Sequence, residues 1–515
     1  MRVFAISIGW AVIVAAALSS YYWVGYIASD DLNYAQAALW LRSADFFEIR
    51  SSGLDFHSWL RFPVTLPIMG SFALFGTNVY SLALPTTLYY IGILSLVFVF
   101  MYRMTSLWFA LLSVLLIGST PLLWERSSSA SADIAECFYI IAAFMVLFLA
   151  LRRKEENLYF AVFSGVLLGL GYLVRETTAP YCIVIFLLFI FNCRSGRRAY
   201  FMVGVGFLIV LAIDTAFFYE ATGEPFLRFI SSSGAIEHTF ETAPSWDIRS
   251  HGGESQRAAW YHKDSLIPYT GDYLSPFVML FTNKEAVLVT LLGIASGLSM
   301  LLTRSRLSFE CSFLYFCALG GFIFFTLLPD QLSLRPRYIS PAVVAIALAS
   351  LVQVHTLWTR GYRKLCLSAV LVFFLGNFTI ISLANPYPIY GVTTFASVIK
   401  KRGETVYTDP ETFRLSMFLL MQDKLTEKAG NGLPPSSGLF LRNPNQLKRP
   451  NKSIGPDDLK LYKVQPNWKV VSTYLPPKKP VARLLDMLNL SDHLPRYLYK
   501  KIYAPVSPVT LYRVS

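Results

Sequence analysis

Charge is what this chain has least of. Of its 515 residues only 15% are Asp, Glu, Lys or Arg, where a soluble domain of this size carries about a quarter. Cysteine is also scarce. The six, Cys137, Cys182, Cys193, Cys311, Cys317 and Cys366, all fall in or beside apolar runs. No disulfide framework can therefore hold the polar loops together, and buried apolar packing accounts for the thiols. No nucleotide-binding glycine fingerprint appears in the polar tail, and no metal-ligand spacing. His238, His251 and His262 share one loop, but their spacing fits no metal template and they read as surface residues. No metal or other cofactor is indicated.

What is present is apolar: 54% of the residues are hydrophobic and the mean hydropathy is +0.48. Runs of about 20 apolar residues, enough to cross a hydrocarbon core of about 30 Å, recur near 3–26, 84–102, 105–123, 133–151, 158–174, 177–193, 200–219, 285–303, 308–328, 338–354 and 365–383. The first lacks a small-residue cleavage site and reads as an anchor rather than a signal peptide. Every second short connection is basic: Arg103, then 152–154, 194–198, 304–306 and 359–364. Basic loops stay in the cytoplasm. The expected protein is thus a multi-pass resident of the cell (inner) membrane, N-terminus cytoplasmic and C-terminus extracytoplasmic. Segments 27–83 and 220–284, the loops near 124–132, 175–176 and 329–337, and the tail then share the outer face.

Two regions follow, a transmembrane domain over 1–383 and an exported domain over 384–515. The tail carries 20 Lys/Arg and 9 Asp/Glu, so most of the chain's +13 charge sits there. Such a charge suits anionic lipid or an anionic glycan as well as simple solubility, and nucleic acid is not an expected partner outside the cytoplasm. Within the tail, 404–409, "SGLFLRN" and "WKVVSTYL" read as strands. "PETFRLSMFLLMQ" reads as a helix with Asp409 as N-cap and Pro410 at its first position, and "VARLLDMLNL" as another. This alternation predicts a small α/β domain.

Ionisable groups beside a membrane tend to mark sites. Asp30 and Asp31 open a predicted amphipathic surface helix over "SDDLNYAQAALWLR", with Ser29 or Asp30 as its N-cap; capping needs only one acid. The second outward loop adds Glu125, Arg126, Asp133 and Glu136. Arg175 and Glu176 form almost all of the next tight connection, where a structural ion pair is the expected role. Arg335 and Arg337 are outward cations against the positive-inside trend, suited either to phosphate or to snorkelling toward headgroups. Carboxylates able to act as a base and arginines able to hold a phosphate thus face the same side.

Four stretches extend the pattern: "DDLNYAQAALWLR", "DFHSWLRFPVTLPIMGSFALFGTNVYSLALP", "SSASADIAECFYIIAAFMVLFLALRR" with "GVLLGLGYLVRETTAPY", and "RPRYISPAVVAIALA". Over about residues 1–355 the chain resembles the polytopic C-type (GT-C) glycosyltransferases, in particular the group of protein O-mannosyltransferases and lipid A aminoarabinose transferases. It departs from the family at Ala83, where an Arg is frequent, and the family's second-loop acid aligns with Asp133 or, less well, Glu136. Its acids at 30–31 are adjacent, unlike the spaced pair of metal-dependent oligosaccharyltransferases. The resemblance implies an inverting transfer of a sugar from a polyprenyl-phosphate carrier to a glycan, lipid or protein acceptor at the outer face. It implies Asp30 as general base, Asp31 and Asp133 as orienting groups, and Arg335, Arg337 or Arg175 on the carrier phosphate. The competing class is a lipid or sugar transporter or flippase, which favours ionisable residues near the midplane. Here Asp214 is the one carboxylate well inside a span.

Overall fold

The computed structural model describes residues 2–43, 59–152, 157–191, 197–228, 280–281, 283–303, 309–327, 336–384, 389–435, 437–447, 461–503 and 507–514. Inside a bilayer no water satisfies the backbone, so an apolar run must close its hydrogen bonds within itself as a helix. All eleven expected stretches are helical: Arg2–Tyr21, Val79–Met104, Leu107–Gly118, Ala132–Arg152, Leu158–Val174, Ala179–Ile190, Arg197–Thr222, Val287–Thr303, Phe309–Leu327, Ser340–Thr359 and Arg363–Leu383. Among the described residues, six helices are long and apolar enough to cross a membrane, and the remaining ones are shorter apolar helices. The chain is a polytopic α-helical membrane protein with a small C-terminal α/β region.

The structure falls into two compact units. One comprises Met1–Tyr21, Asp45–Pro67 and Leu84–Ile381; the other comprises Tyr22–Ala44, Ile68–Ala83 and Ser382–Ser515. The second unit is therefore more than the tail: it takes in Asp30 and Asp31.

In the first unit the helices Leu158–Val174 and Arg197–Thr222 touch backbone to backbone. A Cβ added at Gly165 would overlap the Val203 carbonyl, and one at Gly206 the Val162 carbonyl. Small residues permit this approach, which gains dispersion contact where the hydrophobic effect gives no drive. The segment before the helix Ala132–Arg152 is anchored by Trp124. Trp124, fully buried, donates from Nε1 to the Leu18 carbonyl at 2.9 Å and packs its ring against Tyr21 and Phe378.

The second unit contains a five-stranded sheet of β1 (Val406–Thr408), β2 (Ala429–Asn431), β3 (Gly438–Arg442), β4 (Lys469–Tyr474) and β5 (Val509–Val514), in the order β2-β1-β3-β5-β4. β1 runs parallel to β2 and β3, while β5 is antiparallel to β3 and β4. Alternation along β3 sends Leu439 and Leu441 to one core with Phe395, Ile399, Val406 and Leu511, and Phe440 to another with Tyr462, Trp468 and Tyr512. The helix Pro410–Gln422 begins as its sequence predicts: Asp409 accepts from the Thr412 amide at 2.9 Å, with Pro410 in the first turn. β2, β5 and the helices Tyr390–Arg402 and Arg496–Tyr503 are elements beyond those expected from the sequence.

Candidate active site

In the first unit the candidate residues converge on one carboxylate. Asp133 is the second residue of the helix Ala132–Arg152 and is 3% exposed. Its Oδ1 accepts from the Arg175 guanidinium in a short contact. Its Oδ2 accepts from the Ser131 hydroxyl at 3.2 Å and lies 3.9 Å from both Arg126 Nη1 and Arg337 Nε. Three guanidinium groups thus surround one carboxylate and outnumber it by two charges. Tyr338 binds two of them together, its ring centroid 4.8 Å from the Arg175 guanidinium and 5.3 Å from that of Arg337.

Local sequence explains how each group is held. Glu136 follows Asp133 by three residues and so lies on the same helix face. It is buried, and its Oε1 accepts from the Thr177 and Thr178 hydroxyls at 2.5 and 3.1 Å. Those threonines belong to the turn Glu176–Thr178 that Arg175 precedes. The pair at i and i+3 therefore grips the same connection twice, Asp133 through its cation and Glu136 through its hydroxyls. On the other side, Thr86 accepts from the Ser131 amide at 3.1 Å and Thr87 donates to the Ser127 carbonyl at 2.9 Å. Arg337 sits in the 3-10 turn Pro336–Ile339 that leads into the helix Ser340–Thr359.

This corrects one expectation. Arg175 is not confined to a hairpin pair with Glu176, because its guanidinium reaches a carboxylate 42 residues earlier in the chain. Arg335, His238, His251 and His262 lie outside the described residues.

A second ion pair in this unit has no precursor in the sequence reading beyond Asp214 itself. Arg228 is bidentate to Asp214, with both bonds at 2.8 Å. It also donates to the Leu60 carbonyl at 2.6 Å and to the Leu173 carbonyl at 3.3 Å. Leu173 is two residues before Arg175, so the pair braces the end of the helix that presents that cation. Asp214 is thus paired within the protein.

The second unit holds the acidic pair. The helix Asp30–Ser43 starts where predicted, and Leu32, Tyr34, Ala35, Ala37 and Ala38 on it are buried against the protein. Asp31 braces the turn before the helix, accepting from the Ile27 and Ser29 amides at 2.6 Å each and from the Leu32 amide at 3.1 Å. It is fully buried. Burial pushes its carboxyl up to about 6, and the three amide bonds hold it below where burial alone would put it. The turn that wraps it places Ala28 at φ +52, a left-handed conformation that costs a non-glycine residue about 1–2 kcal/mol. Asp30 is half-buried. Among the described residues no group of three His, Cys, Asp or Glu side chains is arranged to hold a metal ion.

Residues 64–217 match the family described as dolichyl-phosphate-mannose-protein mannosyltransferase. That stretch contains Arg126, Asp133, Glu136 and Arg175, but neither the acidic pair nor Arg337. No curated protein sequence matches the chain. Among solved structures, ArnT from Cupriavidus metallidurans in the apo state is similar with a TM-score of 0.54 at 11% identity, over 98% of this chain and 98% of that one. The same protein bound to undecaprenyl phosphate gives a TM-score of 0.52 at 10% identity, over 99% and 97%. The likeness is one of fold, and it extends over nearly the whole length of both chains.

Proposed function

We propose that this chain, which has the fold of the C-type glycosyltransferases, transfers a sugar from a polyprenyl-phosphate carrier to an acceptor at the extracytoplasmic face. The observation that carries this reading is the cluster of Arg126, Arg175 and Arg337 around the single carboxylate of Asp133. A sugar linked to a polyprenyl phosphate is a phosphodiester with one negative charge. When the bond from the anomeric carbon to the phosphate oxygen breaks, the departing carrier becomes a phosphate monoester with up to two. Guanidinium groups gathered this closely are suited to that growing charge. The family match of residues 64–217 and the resemblance of an undecaprenyl-phosphate-bound structure agree with it.

Asp30 is the general base in this scheme. It takes the proton of the acceptor hydroxyl or amine as the acceptor attacks the anomeric carbon from the face opposite the phosphate, so the configuration inverts. Oriented base catalysis is worth about 10²–10⁴-fold. Asp31 holds the turn that presents Asp30. Asp133 is better suited to positioning the arginines than to moving a proton, because its oxygens already accept from cations and a hydroxyl. Arg175 and Arg337 bind the phosphate of the carrier. The acceptor is a glycan, lipid or protein. The N-terminus is cytoplasmic and the C-terminus extracytoplasmic, as the basic loops require.

Release of polyprenyl phosphate from a sugar-loaded carrier, measured with the full protein in lipid nanodiscs, tests the reading. Arg337→Ala should lower turnover by about 10²–10³-fold, the scale for losing one preorganised charge-stabilising group. Arg337→Lys should retain part of the activity, since it keeps the charge and loses the two-pronged fork. Normal turnover in the alanine variant would refute a phosphate site at Arg337.

A further inference from the structure

The C-terminal domain is joined to the acidic turn by contacts that nothing in the proposed chemistry requires. Tyr26 is 3% exposed, and its hydroxyl donates to the Leu415 carbonyl at 2.9 Å across 389 residues of sequence. Its ring lies 5.2 Å from that of Phe418, which stacks in turn on Phe72 at 6.1 Å. Leu415 and Phe418 lie one turn apart on the helix Pro410–Gln422. Five residues after Tyr26 comes Asp31, which collects the Ile27 and Ser29 amides. On the opposite flank Trp23 packs against Tyr80 at 5.7 Å, and Gly25, at φ +71, leaves no room for a Cβ beside Val79. The segment from Trp23 to Asp31 is thus held at both ends, and the end nearer the acids is held by the tail.

The helix that does the holding is itself well anchored. Asp409 caps it, and Asn443, at the end of β3, donates to the Thr412 hydroxyl at 3.2 Å. Leu420 reaches the main sheet core. Burial and the neighbouring Asp31 charge raise the Tyr26 phenol well above its ordinary value, so it stays a donor at any working pH.

We infer that the helix Pro410–Gln422 positions the acidic turn through Tyr26 and Phe418, which makes the C-terminal domain part of the catalytic apparatus rather than an appended acceptor-binding module. This rests on the reading of Asp30 as the base. Tyr26 and Phe418 are positioning residues: they touch no reacting atom and act through the geometry of residues 27–31. The strained Ala28 favours opening of this turn, and the Tyr26 anchor opposes it.

The test uses the full chain in nanodiscs and two readouts. Tyr26→Phe removes the hydroxyl and keeps the ring; Phe418→Leu keeps most of the apolar volume and removes the stack. Losing one buried hydrogen bond should speed amide exchange of Ile27, Ser29 and Leu32 by about three- to tenfold, with exchange in the helix Ser340–Thr359 unchanged. Turnover should fall by more than twofold while KM for the sugar-loaded carrier stays constant, because the carrier phosphate site is untouched. Tyr503→Phe is the control. It removes a hydroxyl of the same domain that bonds Ala482 and Asp486, and it should move neither readout. Unchanged exchange at 27–32 in both variants overturns the inference, as does faster exchange with turnover within twofold of the parent. The exchange arm is independent of chemistry. If Asp30→Asn turns over normally while Tyr26→Phe still loosens 27–32 and slows turnover, the reading of the base fails and the positioning role stands.

Discussion

Asp133→Asn separates a counter-ion from a base. The substitution keeps the shape of the side chain and removes its charge. One amide oxygen can still accept from Arg175, but the other position becomes a donor facing the Ser131 hydroxyl and the Arg337 Nε. The Asp133 and Arg175 side chains are 2% and 5% exposed, so the Arg175 charge would be left buried without its partner. Breaking a buried pair from one side costs about 3–5 kcal/mol. Arg126 and Arg337 sit at 3.9 Å but are 23% and 13% exposed, so solvent reduces their share. Thermal unfolding in nanodiscs should therefore show a loss near the single-pair figure rather than three times it. The kinetic signature differs from that of a lost base. Three unbalanced guanidinium groups repel one another, so KM for the sugar-loaded carrier should rise and turnover fall, while the acid limb of the pH profile stays where it was. Combining Asp133→Asn with Arg337→Ala should be non-additive by about 0.5–3 kcal/mol, as for any pair sharing one network. An acid limb that vanishes in Asp133→Asn, with carrier KM unchanged, would refute the counter-ion assignment.

Asp30→Asn should abolish transfer yet leave folding and carrier binding nearly intact; turnover within about tenfold of the parent, measured with saturating carrier, would exclude it as base. Asp31 carries a pH signature. Its folded carboxyl titrates near about 6 against an ordinary 3.8, so folding binds its proton more tightly than the unfolded chain does. The contribution is fully present below about pH 4 and is lost as pH rises toward 6, by about 3 kcal/mol at 1.36 kcal/mol per pKa unit. Subtracting the pH-stability curve of Asp31→Asn from that of the parent isolates this slope, and a difference that rises across the window would contradict it. Arg228→Leu should destabilise by about 3–5 kcal/mol by stranding the Asp214 carboxylate, whereas Arg228→Leu with Asp214→Leu should recover most of that loss. Thermal unfolding of the two variants checks the pair, and a double variant no better than the single one would count against it.

Much of this protein is legible in one dimension because the forces concerned act over short stretches of chain. A bilayer demands about 20 apolar residues per crossing and internal hydrogen bonds, so the eleven apolar helices can be read from hydropathy alone. The Asp409–Pro410 start is equally local, as is the shared face of Asp133 and Glu136, since capping and helical spacing involve residues three or four apart. What only the tertiary structure decided is partner choice. Asp133 and Arg175 are 42 residues apart, and no local periodicity says which arginine will reach which acid. Asp30 and Asp31 look alike in sequence. They differ in burial, Asp31 being fully buried with three amides on its carboxylate and Asp30 half-buried, a distinction set by how the turn around Ala28 folds back. Arg228 carries no motif, and its role follows from the two carbonyls and the carboxylate the packed helices bring to it. The boundary between domains is decided the same way. Composition changes near residue 384, but Tyr26 bonds Leu415 across 389 residues, and a contact of that separation leaves no local trace in either partner's neighbourhood.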